Sequence, residues 1–492
     1  MSDPMREFPL YLCLLVPLAA AIGQILLLGR CRSQRVVAIG STALLTVLGG
    51  MLVAAVKAGG PVVLDAGGWA APLGIRLQAD MLSALMVAIT GFIGLCGAIH
   101  GLAEVPTSDE RRGYHPLYQF LLFGVCGAFL TNDLFNLYVW FEVMLLSSFA
   151  LLTLGGGKAQ IEGAVKYVVL NITASTIFLI GAGVLYATLG TLNFNDVAVR
   201  IAAGLGSQAG IRFAAVLLML AFAIKAGMFP LYGWLPSSYH TPRHTVSAVF
   251  AGLLTKVGVY ALIRTFGSAF VAERDFILPI LWTVSLLTMV IGVCGAMSQF
   301  HTRRILSFHI ISQIGYMTLG LALGTAAAIS AAIFYIIHHI IVKSNLFFVA
   351  SVIDRIGGGE NLKRTGGLYR SAPWLAGLFL IPALSLGGIP PFSGFWAKLA
   401  LLKELFNANA WFAGAVALAV GVCTLFSMMK IWAEAFWKDR PAEAKEFRPV
   451  GFAHILPIVI LAAATIALSV YPSWLFDLAD IAAQQLSPAP NQ

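Results

Sequence analysis

Six ionisable side chains sit inside long apolar runs. They are Glu142 in LYVWFEVMLLSS, Lys225 in AFAIKAGMFP, Lys256 in FAGLLTKVGVY, His339 and Lys343 in IIHHIIVKSNLFF, and Lys398 in SGFWAKLALL. A lysine at the centre of a bilayer costs about 2.5–3.5 kcal/mol on insertion scales. Burial works against the charged form of a lysine, a neighbouring cation adds to that, and a carboxylate opposes it. A lysine held between a carboxylate and a second lysine can therefore take up or release a proton as its partner moves. The series Glu142, Lys225, Lys256, His339, Lys343, Lys398 is suited to carrying protons through an apolar interior. His339 and Lys343 are four residues apart and share one helix face. His338 lies about 100° round the same helix and is a further candidate, as are Lys166 and His240.

The elements that hold these residues are membrane helices. The chain has 492 residues, 59% hydrophobic and 11% charged, whereas a soluble domain carries about 25% charge. At about 20 residues per crossing, the apolar runs make about 14 transmembrane helices of an all-α polytopic protein. The seventh, 211–236, is interrupted at Pro230 and Pro236. The twelfth, 373–403, is interrupted at Pro390 and Pro391. A proline inside a helix removes a backbone hydrogen bond, and irregular backbone within a bilayer survives only where it is buried or lines a cavity. The stretch 59–79, rich in glycine and short β-branched runs, reads as a hairpin outside the membrane. Segment 131–133 (Thr-Asn-Asp) reads as a tight turn, and 452–475 as the last span.

Four regions follow: 1–115 with three helices and the hairpin, five-helix units over 116–267 and 276–437, and 438–492 with the last helix and a tail. Each unit has a broken fourth helix, and the two enter the membrane from opposite sides. This is the signature of inverted repeats with a site near the midplane. Lysines and arginines divide seventeen to six between alternate sets of loops. The positive-inside rule makes the richer set cytoplasmic and puts both termini outside.

The net charge of +9 belongs to these loops and is not a nucleic-acid signal. Six cysteines lie singly, without metal or iron–sulfur spacing. GGGK at 155–158 lacks the spacing of a phosphate loop. No cofactor or metal is expected. Lys430 and Glu434, four apart, suit a simple ion pair.

With these motifs in view, the chain resembles the antiporter-like subunits of respiratory complex I. FEVMLLSS, IKAGMFPLYGWLP, SAVFAGLLTKVGVYALIR, TRRILSFHIISQIGYM, IIHHIIVKSNLFF and PPFSGFWAK carry the resemblance over roughly 70–470. Within that superfamily it looks most like the D-type subunits of multisubunit Mrp-type Na⁺/H⁺ antiporters. The resemblance implies proton translocation by a Glu142–Lys225 pair, connecting Lys256 and His339, and a terminal Lys398. It implies other membrane subunits as partners, H⁺ and Na⁺ as exchanged ions, and a cell-membrane location. The alternative is a proton-pumping subunit of a complex I-like or hydrogenase-linked enzyme. One departure stands out: YHTPRHTVSA (239–248) places Arg243 and His244 where a proline-rich, uncharged turn is expected.

Overall fold

The computed structural model describes residues 4–69, 74–441 and 448–486. The hairpin tip 70–73, Lys445 among the basic loop residues, and the end of the tail lie outside the described residues. Among those described, twelve helices are long and apolar enough to cross a membrane, and Tyr114–Leu130 and Pro373–Gly387 are shorter apolar helices. They fall on the spans expected from the sequence. The hairpin is present as antiparallel strands β1 (Val62–Asp65) and β2 (Arg76–Ala79), with Val62 opposite Ala79 and Asp65 opposite Arg76. At 131–133, Asp133 caps the next helix by accepting from the Asn136 N–H at 2.8 Å.

The bundle is built round Ala326–Gly357, a helix of 32 residues. At 1.5 Å per residue it is about 48 Å long, well beyond the apolar thickness of a bilayer. Thr325 caps its start and Gly358, left-handed at φ 83°, closes it. Its sequence is apolar all round, so it has no solvent face to offer, and its apolar span is entirely buried. Two of the six candidates, His339 and Lys343, ride on it, as does His338. Lys158–Leu189 has the same length but exposes Ile161, Val165, Val169 and Ile172 along one face.

Both interrupted helices break in the same way. Gln208–Ala226 ends at Gly227, left-handed at φ 82°, whose N–H reaches the carbonyls of Ala223 and Ile224. Pro373–Gly387 ends at Gly388, at φ 88°, whose N–H reaches Leu384 and Ser385. A left-handed glycine is the usual way to satisfy the last carbonyls of a helix. Three residues beyond each glycine lies a cis proline, Pro230 and Pro391. The chain then resumes as Trp234–Ser238 and Ser393–Asn407. One expectation is corrected here: Pro236 is not a break. It sits in the first turn of Trp234–Ser238, where an N–H has no helical partner to lose. The last span is also shorter than 452–475. Phe452–Val470 crosses, and Ser473–Leu486 is a separate helix that packs Leu475, Leu478 and Ala482 inward.

The hairpin end of the bundle is locked by a buried ion pair. Arg264 Nη1 donates to Asp80 Oδ2 at 2.5 Å, while Nη2 donates to Ser83 Oγ at 2.9 Å. The Tyr260 hydroxyl joins the cluster and donates to the Phe129 carbonyl at 2.7 Å. Removing one partner of a buried pair leaves the other charge uncompensated, at about 3–5 kcal/mol. Asp80→Ala is therefore expected to lower the thermal midpoint of the purified protein in detergent by several degrees. An unchanged midpoint would contradict this assignment.

Candidate functional site

Lys225 lies in the last turn before the first break and is 5% exposed. Its ammonium donates to Ser175 Oγ at 3.0 Å and stands 4.6 Å above the centre of the Phe141 ring. Glu142 follows Phe141 in the chain and is half-buried, and its Oε1 has no hydrogen-bond partner among the described residues. The pairing of Glu142 with Lys225 is thus not a contact in this structure: the lysine is held by a serine hydroxyl and a ring face. A cavity of about 20 Å³ adjoins Lys225, room for about one water. Trp234, from the resumed segment, donates through Nε1 to the Ile224 carbonyl at 2.9 Å and steadies the freed helix end.

Lys256 is fully buried one helix away. The residues before it, Phe250–Leu254, form a π-helical turn, a local widening that re-aims carbonyls and is frequent at functional sites. Its ammonium reaches the Ala251 carbonyl at 2.5 Å and Thr255 Oγ1 at 3.3 Å. Gly258 makes the approach to Lys225 possible, since a Cβ there would stand 2.5 Å from Ala226 N and 2.9 Å from Lys225 C. Gly252 does the same towards the central helix, where a Cβ would lie 2.4 Å from Ser344 Oγ. His339 and Lys343 follow on that helix, both fully buried. The two ring nitrogens of His339 and the Lys343 ammonium have no hydrogen-bond partner among the described residues.

Lys398 ends the row. Its ammonium donates to the Leu386 and Gly387 carbonyls at 3.0 and 2.9 Å. These are the last carbonyls of the first half of the broken helix, where the dipole favours a cation. The ammonium lies 5.3 Å from the centre of the Tyr316 ring. A cavity of about 330 Å³, lined by Gly388, Phe395, Gly421 and Val422 among others, surrounds it. Val422 is 69% exposed on the bundle's flank, so this end of the row opens sideways.

The structure enlarges the set of candidates. His338 Nδ1 is 2.9 Å from Ser393 Oγ, which is 3.1 Å from Ser385 Oγ. It therefore belongs to the second break. His309, which the residue-type argument passed over, is fully buried with both ring nitrogens unpartnered among the described residues. It feels the charges of Lys343, Lys398 and Lys430. One turn further on, Gln313 accepts a hydrogen bond from the Tyr335 hydroxyl. A histidine and a glutamine four apart in an apolar helix is a signal that the sequence carried openly. Lys166 is corrected: its side chain is exposed and paired with Glu162 at 2.6 Å, because its helix turns that face outward. Lys430 donates to the Met297 and Gln299 carbonyls, leaving Glu434 to Lys438 at 2.7 Å.

A second polar cluster occupies the end of the bundle opposite the hairpin. Arg303 holds Glu360 through two hydrogen bonds and also reaches the Pro242 carbonyl. Arg243 pairs with Asp109 at 2.9 Å. Burial pulls the Glu360 carboxyl upward, but Arg303 and His244 outweigh it and hold Glu360 well below the usual carboxylate range. Burial, with Arg304, His301 and Arg303 nearby, pushes His240 down to about 4, so its imidazole is neutral at neutral pH. His240 packs edge-on against His301 with ring centres 5.6 Å apart, at the mouth and not in the row. His244, Asp354 and Glu360 bring ligand atoms within 4.8 Å of one another. Arg303 already occupies the Glu360 oxygens, which disfavours a metal there.

Buried lysines and histidines set between two interrupted helices define a polytopic membrane protein of the ion-translocating kind. A family model described as the transmembrane region of NADH:quinone oxidoreductase and Mrp antiporters matches residues 131–426. The chain is 46% identical over 431 residues to the D-type subunit of the Na(+)/H(+) antiporter of Alkalihalophilus pseudofirmus, covering 87% of each. A chain of the Mrp complex from Dietzia sp. DQ12-45-1b superposes with a TM-score of 0.92 at 32% identity, covering 98% of both chains. A chain of an archaeal membrane-bound sulfane sulfur reductase superposes at 0.89 with 25% identity, covering 97% of both. The chain belongs to the NADH:quinone oxidoreductase/Mrp antiporter transmembrane family.

Proposed function

We propose that this chain is the proton-translocating membrane subunit of a multisubunit Na⁺/H⁺ antiporter, in the position of the D-type subunit. One observation carries the reading: Lys225, Lys256, Lys343 and Lys398 are all buried, and none contacts a carboxylate among the described residues. Such groups cost stability, and a fold retains them where their charge has work to do. Protons pass between Glu142 and Lys225, along Lys256, His339 and Lys343, and reach Lys398. The units 116–267 and 276–437 are inverted repeats. Their support is the shared break geometry, the paired 32-residue helices, and the π-turns that end the last helix of each, Thr265–Ala269 and Ala433–Trp437. The chain lies in the cell membrane with both termini outside, as its loop charges favour, and acts as a transporter subunit among other membrane subunits. A second reading, a pumping subunit of a redox-driven complex, is favoured by the likeness to the sulfane sulfur reductase.

Two measurements test this. The chains that co-purify in mild detergent should include no flavin or iron–sulfur subunit. In sealed vesicles with a pH-sensitive dye, Glu142→Gln should slow Na⁺-driven proton movement about a hundredfold, the low end for a lost proton-transfer group. An undiminished rate removes Glu142 from the path.

A further inference from the structure

The departure at Arg243–His244 has a structural counterpart. His244 begins the helix that carries Lys256 and faces a polar cavity of about 230 Å³. Its Nδ1 is 3.0 Å from Glu104 Oε1, and its backbone N–H donates to the same oxygen at 2.5 Å. Its Nε2 lies 3.2 Å from Glu360 Oε1, and both residues line the cavity. Arg303 and Arg243 are both committed to acids, Glu360 and Asp109. Asp354, on the central helix, lines the same cavity.

From this cavity a polar route leads inward. Glu104 Oε2 accepts from Thr245 N–H at 2.6 Å and from the Thr245 hydroxyl. The same oxygen is 3.5 Å from His100 Nδ1, which is itself 2.7 Å from Thr245 Oγ1. His100 is fully buried, and its Nε2 has no hydrogen-bond partner among the described residues. The His100 ring packs at 4.6 Å on Phe348 of the central helix. Phe348 is five residues from Lys343, about 7.5 Å along a helix axis. Ser344 and Asn345, fully buried, occupy the interval, and both polar atoms of the Asn345 amide are unpartnered among the described residues.

We propose that His244 is the proton-collecting residue of a polar mouth, passing protons through Glu104 and His100 to Lys343. The inference rests on the antiporter reading above and adds to it an entry point outside the two breaks. In the transfer, His244 takes a proton at Nε2 from water in the cavity and gives one up at Nδ1 to Glu104. Glu104 hands it to His100, and the unpartnered Nε2 of that ring passes it on towards the central helix, against which the ring packs. No group changes oxidation state, and the proton is the only species that moves.

The test uses the intact complex in sealed vesicles with a pH-sensitive dye. His244→Gln keeps a donor for Glu104 but carries no proton. Its rate of Na⁺-driven proton movement should fall about tenfold or more, with the subunit present at its normal level. His244→Ala should fall as far and recover in millimolar imidazole, which the cavity admits. A full rate in the glutamine variant, or a loss in the alanine variant that imidazole leaves untouched, overturns the proposal. If alanine depletes the subunit, the glutamine variant alone decides. Lys256→Met separates the two levels. Transport surviving that change removes the proton line itself, whereas its loss beside a full rate in His244→Gln removes only the mouth.

Discussion

Replacing Lys256 with methionine is expected to abolish Na⁺-driven proton movement while making the subunit more resistant to heat. The side chain is fully buried, and among the described residues its ammonium bonds only to a carbonyl and a hydroxyl of its own helix. No carboxylate among the described residues offsets the cost of placing it there. Exchanging buried charge for an apolar side chain of similar volume is often neutral or stabilising by about 1–4 kcal/mol. Methionine, long and unbranched, fills such a space well. The transport rate should fall at least about a hundredfold, the scale of a lost proton-transfer group, and the unfolding temperature in detergent should rise. Opposite signs for activity and stability identify a residue kept for function. Parallel loss of both would mark Lys256 as structural, and undiminished transport would take it off the path.

The second large effect is expected at Gly394, in the resumed half of the second broken helix. A Cβ there would stand 1.8 Å from the Ser385 carbonyl oxygen, 2.8 Å from its carbon and 3.0 Å from His338 Nε2. The first two are backbone atoms, and a side-chain rotation cannot relieve them. The two halves of the broken helix must separate, at a cost of about 3 kcal/mol or more. The contact of Ser393 with Ser385 and His338 opens with them. Gly394→Ala should leave little of the subunit in the purified complex, and what assembles should transport at a small fraction of the normal rate. Gly233, at the first break, is the control. It has φ −58° and nothing within 4 Å of its Cβ position, so Gly233→Ala should be silent in both assays.

How far the sequence could be read depended on the kind of signal. The spans and the four lysines were legible because a bilayer makes hydropathy decisive and charge conspicuous. The breaks were legible as prolines, yet their cause is Gly227 and Gly388. Pro236 misled because a proline in the first turn of a helix looks in one dimension like a proline that ends one. The first residues of Ser473–Leu486 were merged with the preceding span and the rest was read as a tail, since its apolar residues lie on one face only. Lys166 could not be placed without knowing which way its helix faces. The pairing of Glu142 with Lys225 rested on charge and on the family resemblance, and the structure puts Ser175 and the Phe141 ring at the ammonium. His309 was overlooked because single histidines in apolar helices are usually satisfied by packing, and His100 reads in the sequence as a span-end residue beside Glu104. Only three dimensions show that each has an unpartnered nitrogen near the central helix.

The central helix has a consequence for how fast and in what manner such a subunit can work. Ala326–Gly357 is continuous, capped at both ends and enclosed on every side. Tilting or sliding it would disturb close packing throughout the bundle, and packed interiors are bistable and not freely deformable. The large swings of a rocking carrier are thus closed to this element. The motions that such packing leaves open are small ones: rotations of lysine side chains, ring flips, and adjustments at the two glycine-capped interruptions. These motions are fast, ranging from picoseconds to microseconds. Turnover along the proposed proton line would then be set by side-chain motion around a fixed axle and not by movement of the axle itself.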